Sequence, residues 1–299
     1  DYAIADSGAS IIIAHPDFET VLRPIAQERN LRFILTSETL PEAASLLPEI
    51  DINRRALILY TSGTTGKPKG VVTTHQNIQA QVTSLISAWG WTLSDRILHV
   101  LPLHHIHGII NVLTCALWAG AQCHMLAKFD VQKVWDRISD GGLTLFMAVP
   151  TIYVKLIAAW ENADSDRQKI MSDGCTKMRL MVSGSAALPV QVLEKWKNIS
   201  GHFLLERYGM TEIGMALSNP LQGERFAGYV GKPLPQVEVR LVDESGNLVA
   251  PGIPGEIQIK SPGVFLEYWQ KPEATAKVFR DGWFCTGDFA VVENDNYRI

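Results

Sequence analysis

Apolar and polar positions follow two alternating patterns from the N-terminus to about Ile213. Short apolar runs predict buried strands, and segments with apolar residues at helical spacing predict amphipathic helices. Thr73 and Gln76 are predicted to cap one such helix. Strand–helix alternation of this kind indicates a parallel sheet with helices on both faces. The predicted strands are Ser10–Ala14, Arg32–Thr36, Ala56–Tyr60, Leu143–Val149 and Met178–Val182, and the predicted helices include Phe18–Glu28, Ile78–Trp89, Val131–Ile138 and Thr151–Trp160.

Beyond Gly223 the pattern changes, because apolar and polar residues alternate over short stretches that proline and glycine separate. Such alternation predicts strands with one buried face. We therefore expect residues 1–222 to form an α/β part and residues 223–299 to form a β-rich, barrel-like subdomain of the same domain. The clearest hairpin is predicted between Phe289–Val292 and Tyr297–Ile299.

The overall composition is that of an ordinary globular protein, with 46% hydrophobic and 19% charged residues. A net charge of −4 gives no reason to expect a nucleic-acid partner, and no apolar run reaches the ~18 residues of a membrane span. The 4 cysteines form no C-x-x-C pair, which favours buried thiols in a reducing compartment. The N-terminus resembles neither a secretory signal nor a transit peptide. We expect an intracellular protein of the cytoplasm or the mitochondrial matrix.

The predicted strand Ala56–Tyr60 runs into a glycine-rich segment, Tyr60–Gly70, with 3 glycines, 4 serine or threonine residues and 2 lysines. Glycines let backbone N–H groups approach a phosphate, and lysine supplies a mobile charge. A Walker loop is excluded because Pro68 stands where that pattern requires its second glycine. A flexible surface loop would explain the glycines but not the 2 lysines. The segment therefore predicts a phosphate-binding loop of another type.

The string Tyr60–Gly70 resembles the phosphate-binding signature of the adenylate-forming superfamily, which contains acyl-CoA synthetases, luciferases and the adenylation domains of peptide synthetases. The resemblance extends over essentially the whole chain. It implies the large N-terminal domain of that fold, with mostly parallel sheets flanked by helices, and it implies ATP, Mg²⁺ and CoA as cofactors or co-substrates. The loop residues that it assigns to phosphate binding are Thr61, Ser62, Gly63, Thr64, Thr65, Gly66, Lys67 and Lys69.

Two further segments, Arg207–Glu212 and Trp283–Asp288, resemble the second and third nucleotide signatures of this family. An aromatic face suits adenine, a hydroxyl suits a phosphate and a carboxylate suits Mg²⁺. Taken singly, either string could be an ordinary turn. The residues that the resemblance assigns are Tyr208, Gly209 and Met210 for the nucleotide, Thr211 and Glu212 for catalysis at the α-phosphate and for Mg²⁺, and Asp288 for the ribose hydroxyls.

Histidines are concentrated at His104, His105 and His107. Adjacent imidazoles point in different directions and no cysteine or carboxylate stands at ligand spacing, so a metal site is not predicted here. The segment Pro102–Gly108 resembles a family motif, P-L-x-H-x-x-G, whose histidine lies beside the acyl pocket, which implicates His105 in catalysis. His107 resembles the second histidine of the H-x-H-G variant found in malonyl-CoA synthetases and is expected to contact the acid.

The segment Arg179–Pro189 resembles the acyl-pocket wall of malonate–CoA ligases. Its turn, Ser183, Gly184 and Ser185, is expected to contact the acid. A second carboxylate on the substrate requires a cation, preferably one that binds in a bidentate manner. Arg179 is therefore the candidate for the distal carboxylate. The alternative is that Arg179 forms only a surface ion pair.

These resemblances together imply ATP-dependent activation of a small carboxylic acid, with malonate foremost, to an acyl-AMP, followed by thioester formation with CoA. No segment of the chain matches the hinge and small C-terminal domain of the family, where a catalytic lysine lies. We therefore expect this chain alone to bind nucleotide with severely reduced turnover. Two alternatives remain: a nucleotide-binding module without catalysis, and a CoA ligase for another short- or medium-chain acid. The sequence leaves the oligomeric state open.

Overall fold

The computed structural model describes residues 1–38, 48–61 and 66–299. Its helices are α1 (Tyr2–Ser7), α2 (Glu19–Glu28), α3 (His75–Trp89), α4 (Cys115–Ala119), α5 (Val131–Ser139), α6 (Pro150–Glu161), α7 (Ser165–Thr176), α8 (Val190–Ser200) and α9 (Pro272–Lys277), with a 3₁₀ turn at Pro16–Phe18 and a π-helix at His107–Thr114.

The strands are β1 (Ile11–Ala14), β2 (Arg32–Leu35), β3 (Arg55–Thr61), β4 (Lys69–Thr74), β5 (Arg96–His99), β6 (Gln122–Met125), β7 (Leu145–Ala148), β8 (Leu180–Ser183), β9 (Leu205–Met210), β10 (Gly214–Ser218), β11 (Lys232–Pro233), β12 (Glu238–Val242), β13 (Gly255–Lys260), β14 (Glu267–Tyr268), β15 (Phe279–Arg280), β16 (Trp283–Glu293) and β17 (Asn296–Arg298). The predicted α/β fold with an attached β-rich part is confirmed.

The largest sheet in the described ranges has 7 strands in the order β11-β10-β9-β8-β7-β5-β6. Strands β6, β5, β7, β8 and β9 are parallel, whereas β10 and β11 are antiparallel to their neighbours. Because parallel strands end at one edge of a sheet, the segments that follow β7, β8 and β9 meet there. Strand β11 belongs to this sheet although it follows the predicted division at residue 222.

The main core lies between this sheet and its helices. Trp135 of α5 and Trp196 of α8 are fully buried and stack with ring centroids 5.7 Å apart. Tyr153 of α6 packs edge-on against Trp196 at 4.9 Å, and its hydroxyl donates to the Val182 carbonyl of β8 at 2.9 Å. Large buried aromatic side chains contribute most to such a core. The end of β8 is thereby held firmly against the helix layer.

The glycine-rich segment connects two antiparallel strands, β3 and β4, in which Thr61 pairs with Lys69. Helix α3 begins only after β4 is complete, so the loop does not lead directly into a helix as a Walker loop does. The helix cap lies one residue later than predicted: Thr74 and Asn77 form the capping box. The prediction that Thr73 and Gln76 form it was wrong because β4 extends through Thr74.

The C-terminal part forms an antiparallel sheet in the order β12-β13-β16-β15, and β17 pairs with β16. The predicted hairpin is confirmed, with Val291 opposite Arg298. A second core of this part includes Ile257 and Phe284, and Val71 of β4 and Ile213 also belong to it. The antiparallel sheet is therefore packed against the loop strands and the turn after β9.

Across residues 1–38, 48–61 and 66–299, the helices are all too short or too polar to cross a lipid bilayer.

Candidate active site

A cavity of about 860 Å³ opens where the large sheet, the antiparallel sheet and the glycine-rich loop strands meet. It lies at the edge at which the parallel strands end, which is the usual position of a ligand site in such sheets. Residues from distant parts of the chain therefore share one wall. The predicted site residues that line it are Thr61, Lys69, His105, His107, Ser185, Gly209, Met210, Thr211, Glu212 and Asp288.

A second cavity of about 500 Å³ adjoins the first, and Ser185, Arg207, Gly209 and Asp288 line both. The predicted residues Ser183, Gly184 and Tyr208 line this second cavity. Ser183 is fully buried at the end of β8, and its hydroxyl has no partner within the described part of the chain. The two cavities together are large enough for a nucleotide and a small acid.

Tyr208 and Asp288 connect the two sheets. The Tyr208 hydroxyl donates to the Asp288 carboxylate at 2.7 Å. Burial, followed by this hydrogen bond, raises the pKa of Tyr208, so the phenol stays a donor. The tyrosine ring and the carboxylate are thus held side by side at the cavity wall, as binding of a base and a ribose requires.

The turn between β9 and β10 depends on glycine. A Cβ atom at Gly209 would collide with the carbonyl oxygen of Gly214. Gly214 itself has a positive φ of 67°. Glycine meets both requirements without strain, the close approach at residue 209 and the left-handed conformation at residue 214. This tight crossing turns Met210, Thr211 and Glu212 into the first cavity.

Glu212 is buried, with 4% of its surface exposed, and its carboxylate accepts a hydrogen bond of 2.8 Å from the Tyr268 hydroxyl. Among the residues with described positions, no three His, Cys, Asp or Glu side chains converge on a metal-sized site. Mg²⁺ is commonly held by one or two carboxylates together with substrate phosphates and water. A single buried carboxylate at the wall of a nucleotide-sized cavity fits that mode.

Arg207 is buried at 4% exposure between the two cavities. Its Nη2 donates to the Ser185 hydroxyl at 3.2 Å, and its Nε has no partner within the described segments. Burial lowers the pKa of the Arg207 guanidinium to about 9, so the side chain remains a cation at neutral pH. Among the described residues, Arg207 forms no salt bridge with a carboxylate. A buried cation of this kind requires an anion, and a bound ligand can provide it.

Gly184 makes room for that arginine. A Cβ atom at Gly184 would lie 2.5 Å from the Arg207 guanidinium carbon. The guanidinium therefore lies directly on the Gly184 backbone, and Ser185 follows with a positive φ of 69°. The turn after β8 is shaped around Arg207.

The two predicted acid-pocket histidines differ in environment. His107 is 3% exposed, and its Nδ1 lies 3.3 Å from the Ser185 hydroxyl. Burial, followed by the charge of Arg207, lowers the pKa of His107 well below its usual range, so the imidazole is neutral. His105 is exposed and its ring centre lies 4.4 Å from that of His104. Partial burial and then His104 lower the pKa of His105.

Arg179 does not reach either cavity, which corrects the prediction that it binds the distal carboxylate. Its Nε and Nη2 donate to the two carboxylate oxygens of Asp95 at 2.7 and 2.6 Å, and its Nη1 donates to the Trp89 carbonyl at 2.9 Å. Arg179 precedes β8, whereas Ser183 and Gly184 lie at the other end of that strand. The guanidinium is therefore occupied at the edge of the sheet opposite the site.

The glycine-rich loop is described only in part. Ser62, Gly63, Thr64 and Thr65, all predicted to bind phosphate, lie outside the described residues. Gly66 and Lys67 do not line the two cavities. The Lys67 ammonium lies 5.7 Å from the centre of the Tyr2 ring.

Sequence reasoning missed two residues of the site, Arg207 and Tyr268. Arg207 directly precedes the tyrosine of the second signature, so its position in a strand beside that motif was the available signal. Tyr268 lies in the short strand β14, outside the segments that resemble the family signatures. No local signal relates it to Glu212, since 56 residues separate the two.

The chain is similar in sequence and in structure to known acid–CoA ligases. A model of the family described as "AMP-binding enzyme" matches residues 1–269. The mitochondrial malonate–CoA ligase ACSF3 of Homo sapiens is 46% identical, with 100% of this chain and 58% of the relative aligned. The solved structure of ATP-bound MatB from Rhodopseudomonas palustris superposes with a TM-score of 0.89 at 34% identity, covering 100% of this chain and 60% of that one.

A malonyl-CoA ligase in a ternary product complex with methylmalonyl-CoA and AMP superposes with a TM-score of 0.86 at 35% identity, over 100% of this chain and 62% of that chain. The chain thus spans less than two thirds of the length of these relatives.

Proposed function

We propose that this chain, which belongs to the AMP-binding enzyme family, is the nucleotide- and acid-binding part of a ligase that activates malonate with ATP. The whole protein would then transfer the malonyl group from AMP to CoA. The similarity to a malonate–CoA ligase and to a malonyl-CoA ligase supports malonate as the acid and CoA as the acceptor.

The observation that carries the choice of acid is the buried Arg207. It lies between the cavities without an anionic partner in the described chain, beside Ser185 and the neutral His107. A dicarboxylic acid brings one carboxylate to react and a second to be held. Arg207 is buried between the cavities and can hold the second carboxylate. Arg179 cannot do so, because its guanidinium is bound to Asp95. Arginine suits this role because its donors match a carboxylate in a bidentate manner.

The reacting carboxylate would then point toward Thr211 and Glu212 in the first cavity. It attacks the α-phosphorus of ATP, the bond from that phosphorus to the bridging oxygen breaks, and pyrophosphate leaves. The Thr211 hydroxyl can donate to the α-phosphate, and Lys69 at the cavity wall offsets phosphate charge. Mg²⁺, held by Glu212 and the phosphates, would further reduce the negative charge of the reacting group.

Tyr208 and Asp288 would hold the nucleoside. The tyrosine offers its ring to the base, and the carboxylate accepts hydrogen bonds from the ribose hydroxyls. Glu206 adds a polar group to the second cavity. Burial raises the pKa of Glu206 to about 7. A hydrogen bond from the Gly228 backbone acts in the opposite direction but has the smaller effect.

The test is pyrophosphate release by the whole protein with malonate, methylmalonate, acetate and octanoate. We expect malonate to be used best and Arg207→Met to reduce kcat/KM for malonate by about 100-fold, the loss expected when one partner of a buried charge pair is truncated. Use of acetate should change much less, since acetate has no second carboxylate. Arg23→Met, at an exposed ion pair on α2, is the matched control.

The other acids decide between this proposal and the alternatives. Octanoate used better than malonate, with no effect of Arg207→Met on either, would indicate a fatty-acyl ligase. ATP binding without pyrophosphate release on any acid would indicate a nucleotide-binding protein without catalysis.

A further inference from the structure

Tyr268 contacts two groups of the proposed ATP site at once. Its hydroxyl donates to Glu212 Oε1 at 2.8 Å in a buried hydrogen bond. The ammonium of Lys69 lies over its ring, 4.2 Å from the centroid. All three side chains line the first cavity. One aromatic side chain therefore bridges the carboxylate expected to hold Mg²⁺ and the lysine expected to face phosphate.

The backbone fixes this arrangement from both sides. Strand β14 pairs with β4, so that Tyr268 lies opposite Val71 on the strand that leaves the glycine-rich loop. On one side the Trp269 N–H donates to the Gly70 carbonyl at 2.7 Å. On the other side the Phe265 N–H donates to the Glu212 carbonyl at 2.7 Å. Residues 265–269 thus fasten the loop strand to the turn that carries Glu212.

The Tyr268 hydroxyl acts only as a donor. A phenol is protonated near neutral pH, and the Tyr268 hydroxyl donates that proton to Glu212 Oε1. Its hydrogen bond occupies Oε1 of Glu212, and Oε2 has no hydrogen-bond partner in the described part of the protein. A carboxylate fixed through one oxygen presents the other in a defined direction, which is how groups behind a metal ligand orient it.

We propose that Tyr268 is a positioning residue for Mg·ATP: its hydroxyl orients Glu212 toward the metal, and its ring holds Lys69 beside the phosphates. This inference rests on the proposed function, because it requires that ATP and Mg²⁺ bind in the first cavity. It adds a residue from outside the three nucleotide signatures to the site. The hydroxyl and the ring have separate tasks, so Tyr268→Phe removes the first and keeps the second.

The test measures ATP affinity of the whole protein by calorimetry, once with excess EDTA and once with saturating Mg²⁺. For Tyr268→Phe we expect unchanged ATP affinity in EDTA, because the ring still supports Lys69. With Mg²⁺ we expect a loss of about 10-fold, at the lower end of the ~10–100-fold effects of such orienting partners. Mn²⁺ titration followed by electron paramagnetic resonance, with ATP present, should show the same loss without any turnover.

The matched control is Tyr229→Phe, which removes another tyrosine-to-glutamate hydrogen bond, of 2.5 Å to Glu293, from a position that lines neither cavity. For Tyr229→Phe we expect the same ATP affinity as for the unaltered protein, both in EDTA and with Mg²⁺. A double-mutant cycle with Glu212→Gln separates an effect of Tyr268 that is transmitted through Glu212 from a general effect on the site. If Tyr268 acts through Glu212, Tyr268→Phe should cost nothing further in that background. Melting temperatures of all variants report whether the fold is kept.

Two results would overturn the inference alone: Tyr268→Phe that binds Mg·ATP like the unaltered protein, or an equal loss of ATP affinity with and without Mg²⁺. Failure of the unaltered protein to bind ATP under either condition would overturn the proposed function as well. The two failures are therefore distinguishable from the same set of titrations.

Discussion

Tyr208 of β9 and Asp288 of β16 are joined by a hydrogen bond of 2.7 Å, although 80 residues separate them in the chain. The bond connects the parallel sheet to the antiparallel sheet where the two cavities adjoin, since Asp288 lines both cavities and Tyr208 lines the second. It also holds an aromatic ring and a carboxylate side by side, as the proposed nucleoside site requires. The two signatures that carry these residues act as one site only because the sheets are packed together.

Asp288→Ala should weaken AMP binding by about 10-fold or more, because hydrogen bonds to a charged group contribute about 1.5–3 kcal/mol each. The loss should be specific to the ribose. An AMP analogue without the 2′- and 3′-hydroxyls should bind the variant and the unaltered protein equally. Calorimetric titration with both nucleotides checks this, and an equal loss for both would contradict the assignment of Asp288 to the ribose.

Gly184→Ala should reduce malonate use while ATP binding is kept. The added methyl group would lie 2.5 Å from the Arg207 guanidinium carbon, so the arginine must move. Overpacking of this kind typically costs about 1–3 kcal/mol in stability. We expect kcat/KM for malonate to fall by at least about 10-fold, which corresponds to about 1.4 kcal/mol. Gly142→Ala is the control, since a Cβ atom at Gly142 meets nothing within 4 Å.

Arg179→Ala should destabilise the fold without changing the order of preferred acids. The bidentate pair with Asp95 is partly buried, and breaking a buried pair costs about 3 kcal/mol. Burial acts to raise the pKa of Asp95, but hydrogen bonds from Arg179 and Thr144 outweigh it, so the pKa is lowered below 3.8. The stabilisation from this carboxylate is therefore present above that pH and is lost as the pH falls through the lowered value.

Urea unfolding of both proteins at pH 7 and at about pH 2–3 tests this account. The difference in the free energy of unfolding should be largest at pH 7 and should shrink in acid. A variant that loses malonate use but not stability would restore Arg179 to the acid site.

Glu206→Gln should stabilise the protein at pH 8 and leave it unchanged at pH 4. Burial raises the pKa of Glu206 from 4.5 to about 7, so the folded protein keeps a proton that the unfolded chain releases. Stability is therefore lost as the pH rises from 4.5 to 7. A shift of this size corresponds to about 3 kcal/mol in the free energy of unfolding. Urea unfolding at pH 5, 6, 7 and 8 measures it.

If the free energy of unfolding changes with pH in the same way for the unaltered protein and for Glu206→Gln, that prediction is wrong. Glutamine is the appropriate replacement because it keeps the size and polarity of the protonated acid. The same pair of proteins can be titrated with AMP at each pH to report whether the proton at Glu206 also matters for the second cavity.

Much of the fold followed from local pattern. Strand β3, helix α2, helix α6 and the C-terminal hairpin lie within a few residues of their predicted positions. Each depends on the spacing of apolar residues in one contiguous stretch. The helix cap at Thr74 was displaced by one residue because strand pairing extends β4, and pairing is a non-local interaction that a single stretch does not encode.

The sequence by itself determined the family and named the residues of the proposed ATP site, since the signatures are short, contiguous strings with a distinct chemistry. Only the tertiary structure favours Arg207 over Arg179 as the proposed partner of the second carboxylate. The partner of Arg179 is Asp95, 84 residues away, and Arg207 lies on the backbone of Gly184. Arg179 directly precedes β8, whereas the pairing of Ser183 with Glu206 places Arg207 of β9 just beyond the other end of β8, so the two arginines lie at opposite ends of that strand. Arg179 is paired with Asp95, whereas Arg207 is buried without a carboxylate partner among the described residues and is available to a ligand.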